Sequence, residues 1–285
     1  CPPSMRTPTP EGGLVFGGRN LSFQSEDQRL WFERMRDKGW FAPDWPAAYG
    51  GGGLNAEQTA ILEAEMRRIH CRPPQINLGI WMLGPVVLEF GTEEQKQALL
   101  KPMTRGEIRW CQGFSEPNAG SDLASLKTSA VDQGDHFLVN GTKIWTSYGD
   151  KSDWMYALVR TDPTAPKHRG ISLIVLDMQS PGITVTPIDL ISGKSSFCQV
   201  FFDNVKVPKG QLIGPLNGGW TLAKALLQHE RRAMSKFGEF SLPTHFDLMS
   251  LAERYLPQTN APADIALRAR AVAMSMEEHS YTLTV

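Results

Sequence analysis

The sequence has almost no net charge: 29 Lys and Arg stand against 30 Asp and Glu in 285 residues. That balance offers no polyelectrolyte field to nucleic acid or to an anionic membrane surface, which argues against nonspecific DNA binding. Cysteine is scarce as well. Cys1, Cys71, Cys111 and Cys198 lie far apart, with no CxxC pair and no histidine at ligand spacing. Such usage argues against a zinc site or a disulfide framework and fits a reducing, cytoplasmic-type compartment. Long apolar runs are missing too. The longest, Ile76 to Phe90, is interrupted by Gly79, Gly84 and Pro85 and falls short of the ~20 residues that cross a bilayer, so no transmembrane segment is expected. The sequence shows no internal repeat, no low-complexity tract and no N-terminal apolar leader. It begins at Cys1 rather than Met and stops at Val285 inside a helix-like pattern, which reads as a piece cut from a longer chain.

What is there is a composition that can bury a sizeable core, 41% hydrophobic and 21% charged. Three textures follow one another. Ser25 with Gln28, Asn55 with Gln58 and Thr92 with Gln95 each read as a capping box ahead of an apolar face, and Ile76, Ile80, Leu83 and Val87 repeat at helical spacing up to a break or kink at Pro85. Residues 20–105 are therefore expected to be mostly α. From about Glu107 short β-rich runs take over: Trp154–Arg160, Ile171–Asp177, Gly182–Ile188 and Cys198–Phe202. Asn140-Gly141 reads as a type I′ hairpin turn joining His136–Val139 to Lys143–Trp145, and Gly134-Asp135 marks another turn. After Pro208 helix returns, with Trp220, Ala223, Leu226 and Leu227 on one face, then Phe246–Tyr255 and Ile265–Thr282, separated by loops at Ser241-Leu242-Pro243 and Pro257–Pro262. The expected fold class is α+β multidomain. Residues 1–108 form an N-terminal all-α domain, 109–214 a middle antiparallel β domain, and 215–285 the start of an incomplete C-terminal helical bundle.

Three ordered motifs sit at the joints of this plan. Phe114-Ser115-Glu116-Pro117-Asn118-Ala119-Gly120-Ser121-Asp122 resembles the TEPxAGSD signature of the acyl-CoA dehydrogenases. Gly141-Thr142-Lys143-Ile144-Trp145-Thr146-Ser147 is similar to that family's GxKxWIT segment, and Phe201-Phe202-Asp203-Asn204-Val205-Lys206-Val207-Pro208 to its FFDxVxVP strand end. The resemblance runs from about Ser25 to Arg231.

The resemblance implies α,β-dehydrogenation of an acyl-CoA thioester to the trans-2-enoyl-CoA, with FAD taking the β hydrogen as hydride while a carboxylate takes the α proton. It implies an acyl-CoA substrate, a homo- or hetero-oligomer sharing the FAD site, an electron-transfer flavoprotein as acceptor, and the mitochondrial matrix as location in a eukaryote. By motif position the flavin contacts fall on Gln112, Gly113, Phe114, Ser115, Gly120, Ser121, Trp145, Thr146 and Ser147. Ser115 and Ser147 stand where relatives carry Thr. A hydroxyl donor facing flavin N5 makes it a better hydride acceptor, so Ser147 has a chemical reason to be there. Ser121 and Arg231 match substrate-contacting positions, a guanidinium suiting phosphate. Glu230 stands where a minority of relatives carry the catalytic base, eleven residues after Gly219 and directly before Arg231.

Each residue alone has a plainer reading. Ser115 and Ser147 can cap strand ends, Trp145 can be core, Ala119-Gly120-Ser121 can be a simple turn, and His229-Glu230-Arg231-Arg232 can be a solvated charged turn. The Arg-Gln-Phe-Gly-type and Gln-plus-glycines segments with which relatives hold the ADP half of the cofactor do not occur in these 285 residues. Two alternatives stay open: an acyl-CoA oxidase or nitroalkane oxidase on the same scaffold, and a noncatalytic or half-site subunit of a hetero-oligomer.

Overall fold

The computed structural model describes the whole chain except Pro8, Glu11, residues 241–247, Gln258 and Val285, and leaves undescribed the side chains of 235–240, 278–279 and 281–284. The chain divides into two compact units, Cys1–Lys236 and Phe237–Val285.

In the first unit, α1 (Glu26–Asp37), α2 (Ala56–Arg68), α3 (Gly84–Phe90) and α4 (Glu93–Thr104) precede the sheet. The capping boxes of α2 and α4 form as the sequence dictates, with both reciprocal bonds present in each. That of α1 forms only by half. Ser25 accepts from the Gln28 N–H, but the Gln28 side chain turns away to the Gln24 N–H and the Gly13 carbonyl, both at 2.7 Å. A buried amide is better satisfied by two backbone partners than by one. Within the Ile76–Phe90 run a π-helical turn, Gly79–Leu83, leads directly into α3, and Pro85 lies just past that junction, where the change of helical hydrogen-bonding pattern accommodates a residue without an N–H. The α4 cap residue Gln95 also donates to the carbonyls of Gly210 and Leu212, tying the helices to the β region.

Among the described residues the sheet has eight strands in the order β6-β7-β3-β2-β4-β5-β8, with β1 on β4. These are β1 (Trp110–Gly113), β2 (Ser129–Asp132), β3 (His136–Ser147), β4 (Trp154–Arg160), β5 (Ile171–Asp177), β6 (Ile183–Pro187), β7 (Phe197–Pro208) and β8 (Leu212–Ile213). Pairing is mostly antiparallel, but β1 and, at Ser129 opposite Arg160, β2 run parallel to β4. The turn at Gly134-Asp135 joins β2 to β3, Gly134 holding φ +93°. The hairpin expected at Asn140-Gly141 does not exist. β3 runs straight through both residues, paired to β2 on one edge and β7 on the other. The sequence does demand positive φ at Gly141, which has φ +145°, yet it serves a register shift against β7 between Val139 and Gly141.

The first unit ends with α5 (Gly219–Phe240), which continues into the second. Gly219 is pressed on β5: a Cβ there would lie 2.5 Å from the Ser172 carbonyl carbon. The second unit holds α6 (Leu248–Tyr255) and α7 (Pro262–Thr284). The expected loop at Ser241-Leu242-Pro243 lies outside the described residues. No helix among the described residues is long and apolar enough to cross a membrane.

Candidate functional site

The first two motifs meet through a buried ion pair. Lys143 on β3 is fully buried, and its Nζ donates to Glu116 Oε1 at 2.8 Å and to the Phe114 carbonyl at 3.0 Å. Glu116 also accepts from the backbone N–H of Lys127 at 2.6 Å and of Thr128 at 2.9 Å. Burial works to raise the Glu116 pKa, but the Lys143 charge and these donors outweigh it and hold the carboxyl below its ordinary value. The Ile144 N–H closes the joint by donating to the Ser115 carbonyl at 2.9 Å. The third motif, Phe201–Pro208, is the latter part of β7 and pairs with β3 from Thr142 to His136.

Past this joint β3 shifts register again between Lys143 and Thr146, and Trp145 sits in the left-handed region at φ +60°. Non-glycine residues there are strained, and bulges re-aim side chains. Here the result is an indole 55% exposed, touched edge-on by Phe197 at 6.1 Å. Phe197 belongs to Ser195-Ser196-Phe197-Cys198, and the Ser196 carbonyl accepts from the Tyr148 N–H.

Beside Trp145 opens a cavity of about 270 Å³. Gln112, Trp145, Ser147 and Glu230, four of the residues singled out from the sequence, line it together. Glu230 arrives on α5, where Leu222, Leu226, Glu230 and Met234 make one row at four-residue spacing. Leu222 and Leu226 are buried, and Glu230 and Met234 line the cavity. That row is a signal the sequence contained, and it favours an inward Glu230 over a solvated turn. From Gly219 the helix carries Glu230 along about 16 Å of axis.

The other predicted residues do not line this cavity. Ser115 is half-buried beside the Glu116–Lys143 joint, while Gly113 and Phe114 are packed inward. Phe114 meets Tyr156 edge-on at 6.1 Å. Thr146 is buried, and its hydroxyl has no partner. Gly120, Ser121 and Arg231 are exposed. A Cβ on Gly120 would meet nothing within 4 Å, so packing within the described chain does not require glycine there. Asp122, directly after Ser121, accepts from the Ser125 hydroxyl and from Lys167.

Several wall residues had no local sequence signal. Phe16 comes from the N-terminal segment, Leu78 and Met82 flank or sit in the π-helical turn, Arg109 directly precedes β1 and Trp110 opens it. Tyr156, fully buried on β4, donates to Met82 Sδ at 3.3 Å; burial, then the charge of Glu230, pushes its pKa up. Trp145, Ser147 and Glu230 thus share one largely apolar cavity with these wall residues.

Comparison with known proteins agrees with this geometry. The acyl-CoA dehydrogenase N-terminal domain matches residues 20–107, and the acyl-CoA dehydrogenase middle domain matches residues 111–205. Acyl-CoA dehydrogenase FadE34 of Mycobacterium tuberculosis is 46% identical over 201 residues, 70% of this chain and 28% of that protein. The solved structure of the Tcur3481-Tcur3483 steroid ACAD aligns with TM-score 0.72 and 31% identity, covering 96% of this chain and 69% of that one. The ChsE4-ChsE5 complex from Mycobacterium tuberculosis aligns with TM-score 0.60 and 36% identity, over 71% of this chain and 51% of that one. The chain spans about half or less of the length of the first curated relatives it matches. With helices, sheet and motif joint all matched in order, the chain belongs to the acyl-CoA dehydrogenase family.

Proposed function

We propose that the protein carrying this chain is an FAD-dependent acyl-CoA dehydrogenase that converts an acyl-CoA to the trans-2-enoyl-CoA, with Glu230 as the base. The observation that carries this reading is that Glu230, Trp145 and Ser147 line one cavity. When bound, the flavin supplies the acceptor for the β hydrogen and its electron pair. Trp145 packs on the ring, and Ser147 donates its hydroxyl to the ring edge. The Glu230 carboxylate takes the α proton, and the apolar wall at Leu78 and Met82 excludes water from the bond being oxidised. Gln112, Gly113, Phe114, Ser115, Gly120, Ser121 and Thr146 complete the flavin segment; Ser121 and Arg231 serve the CoA ligand. The electrons pass on to an electron-transfer flavoprotein.

Glu230→Gln is expected to keep flavin and ligand binding and to slow anaerobic bleaching of the flavin by acyl-CoA about 100- to 10,000-fold, the range for losing a general base. Unchanged bleaching moves the base elsewhere.

A second reading is favoured by the similar structures, two of which are named for pairs of proteins. In it this chain is one member of a hetero-oligomer. Purification with its genomic neighbours, followed by native mass measurement, decides between one kind of chain and two.

A further inference from the structure

Arg109 stands on the cavity wall at the lead-in to β1. Its Cζ lies 4.1 Å from the centre of the Phe16 ring and 5.1 Å from that of Tyr148, and the two rings are 5.3 Å apart. Two aromatic rings hold the guanidinium by cation–π attraction, which engages ring faces and leaves its N–H fork available. Among the described residues no carboxylate or carbonyl accepts from that fork. The acids nearest in charge are engaged elsewhere: Asp153 accepts from the backbone N–H groups of Arg19 and Arg109, and Asp150 from the Cys198 thiol. Desolvation lowers the Arg109 pKa, so its charge sits where water solvates it poorly. A second residue of the same wall, Trp110, has its indole Nε1–H buried without a partner. The rest of the wall is largely apolar, with Ile76, Leu78, Met82 and Met234. A cavity built for a plain alkyl chain has no use for two unpaired donors, since each costs free energy while unmatched.

We propose that the acyl group oxidised here carries an anionic oxygen function, a carboxylate remote from the thioester, which docks on Arg109 with Trp110 as second donor. This deepens the dehydrogenase reading and rests on it. A carboxylate matches the guanidinium fork in a bidentate way, and Trp110 supplies a donor for a further lone pair. Phe16 and Tyr148 fix the fork in advance, so the ligand meets an ordered group.

The test uses the purified flavin-loaded protein and matched pairs of probes, adipoyl- to sebacoyl-CoA against hexanoyl- to decanoyl-CoA. Binding is read by calorimetry with the corresponding enoyl-CoAs, which do not turn over, and oxidation by anaerobic bleaching. At one chain length or more the dicarboxylic member is expected to bind about tenfold to a hundredfold tighter, the range for hydrogen bonds to charged groups. Arg109→Gln is expected to abolish that preference and Arg109→Lys to keep part of it, a point charge without the fork. Equal binding within every pair overturns the proposal, including no binding at all, and this needs no variant to fold. A preference that survives Arg109→Gln overturns it too, as does an Arg109→Gln protein that sheds flavin yet keeps the preference. Failure of the dehydrogenase reading is distinct: no acyl-CoA of either series bleaches the flavin, whatever calorimetry shows.

Discussion

At the scale of single residues, the site depends on a pair that touches no ligand wall. Lys143 and Glu116 are buried, and each is the other's main compensation for lost water. Removing one charge is far worse than removing both, because the remaining ion is left desolvated. Lys143→Met is expected to destabilise the protein by about 3–5 kcal/mol in urea unfolding, and Lys143→Met with Glu116→Gln by much less. The pH dependence follows from the direction at Glu116. Its folded pKa lies below its ordinary 4.5, so the stability Glu116 contributes is fully present above 4.5 and is lost as pH falls through the depressed value, while burial pulls Lys143 down to about 8 and bounds the ion pair on the alkaline side. Unfolding midpoints measured downward from pH 5 should therefore fall more steeply for wild type than for the double variant; parallel curves refute the assignment.

At the scale of elements, β3 gathers the chemistry. Its length pairs two edges, its first register shift admits Gly141, and its second turns Trp145 outward. A Cβ on Gly141 would lie 2.7 Å from the Thr128 Cα in a backbone region that side chains rarely adopt. Gly141→Val should cost about 1–3 kcal/mol by thermal unfolding and lower the flavin retained per chain, since Trp145 and Ser147 follow on the same strand. Full flavin content in a destabilised variant would uncouple the two shifts. The limits of legibility show on this strand. β4 and β5 occupy the residues their apolar runs mark, because both faces are buried and periodicity is not needed to find them. Asn-Gly is informative about φ at Gly141 alone and misleading about topology, since a glycine with positive φ serves a register shift as readily as a hairpin turn. The choice is made by β7, 60 residues downstream, which no local pattern contains. Glu230 was legible as a row with Leu222 and Leu226, whereas Phe16 reaches Arg109 only through tertiary folding.

At the scale of the whole molecule, the cavity is smaller than the ligand set it is asked to serve. Its volume of about 270 Å³ lies just under the ~300–1,000 Å³ of pockets that bury most of a drug-sized molecule, and FAD with an acyl-CoA is larger than that. The described walls suit the flavin ring and the acyl group rather than the whole of FAD and CoA. Gly120 and Ser121, on the segment expected to follow the cofactor outward, lie exposed with open space around the glycine. Surface outside these walls must cover the remainder if the cofactor is to be held firmly, and a second chain is the source the family resemblance implies. Flavin binding is then linked to assembly: subunits that share a site stabilise the cofactor, and the cofactor stabilises the subunits, by the same free energy. On dilution, the midpoint of flavin release, read by recovered flavin fluorescence, should coincide with the midpoint of subunit dissociation, read by mass photometry. Excess FAD should move both midpoints to lower protein concentration together. Flavin that stays on the separated chain would place the whole cofactor site within one subunit and end the shared-site reading.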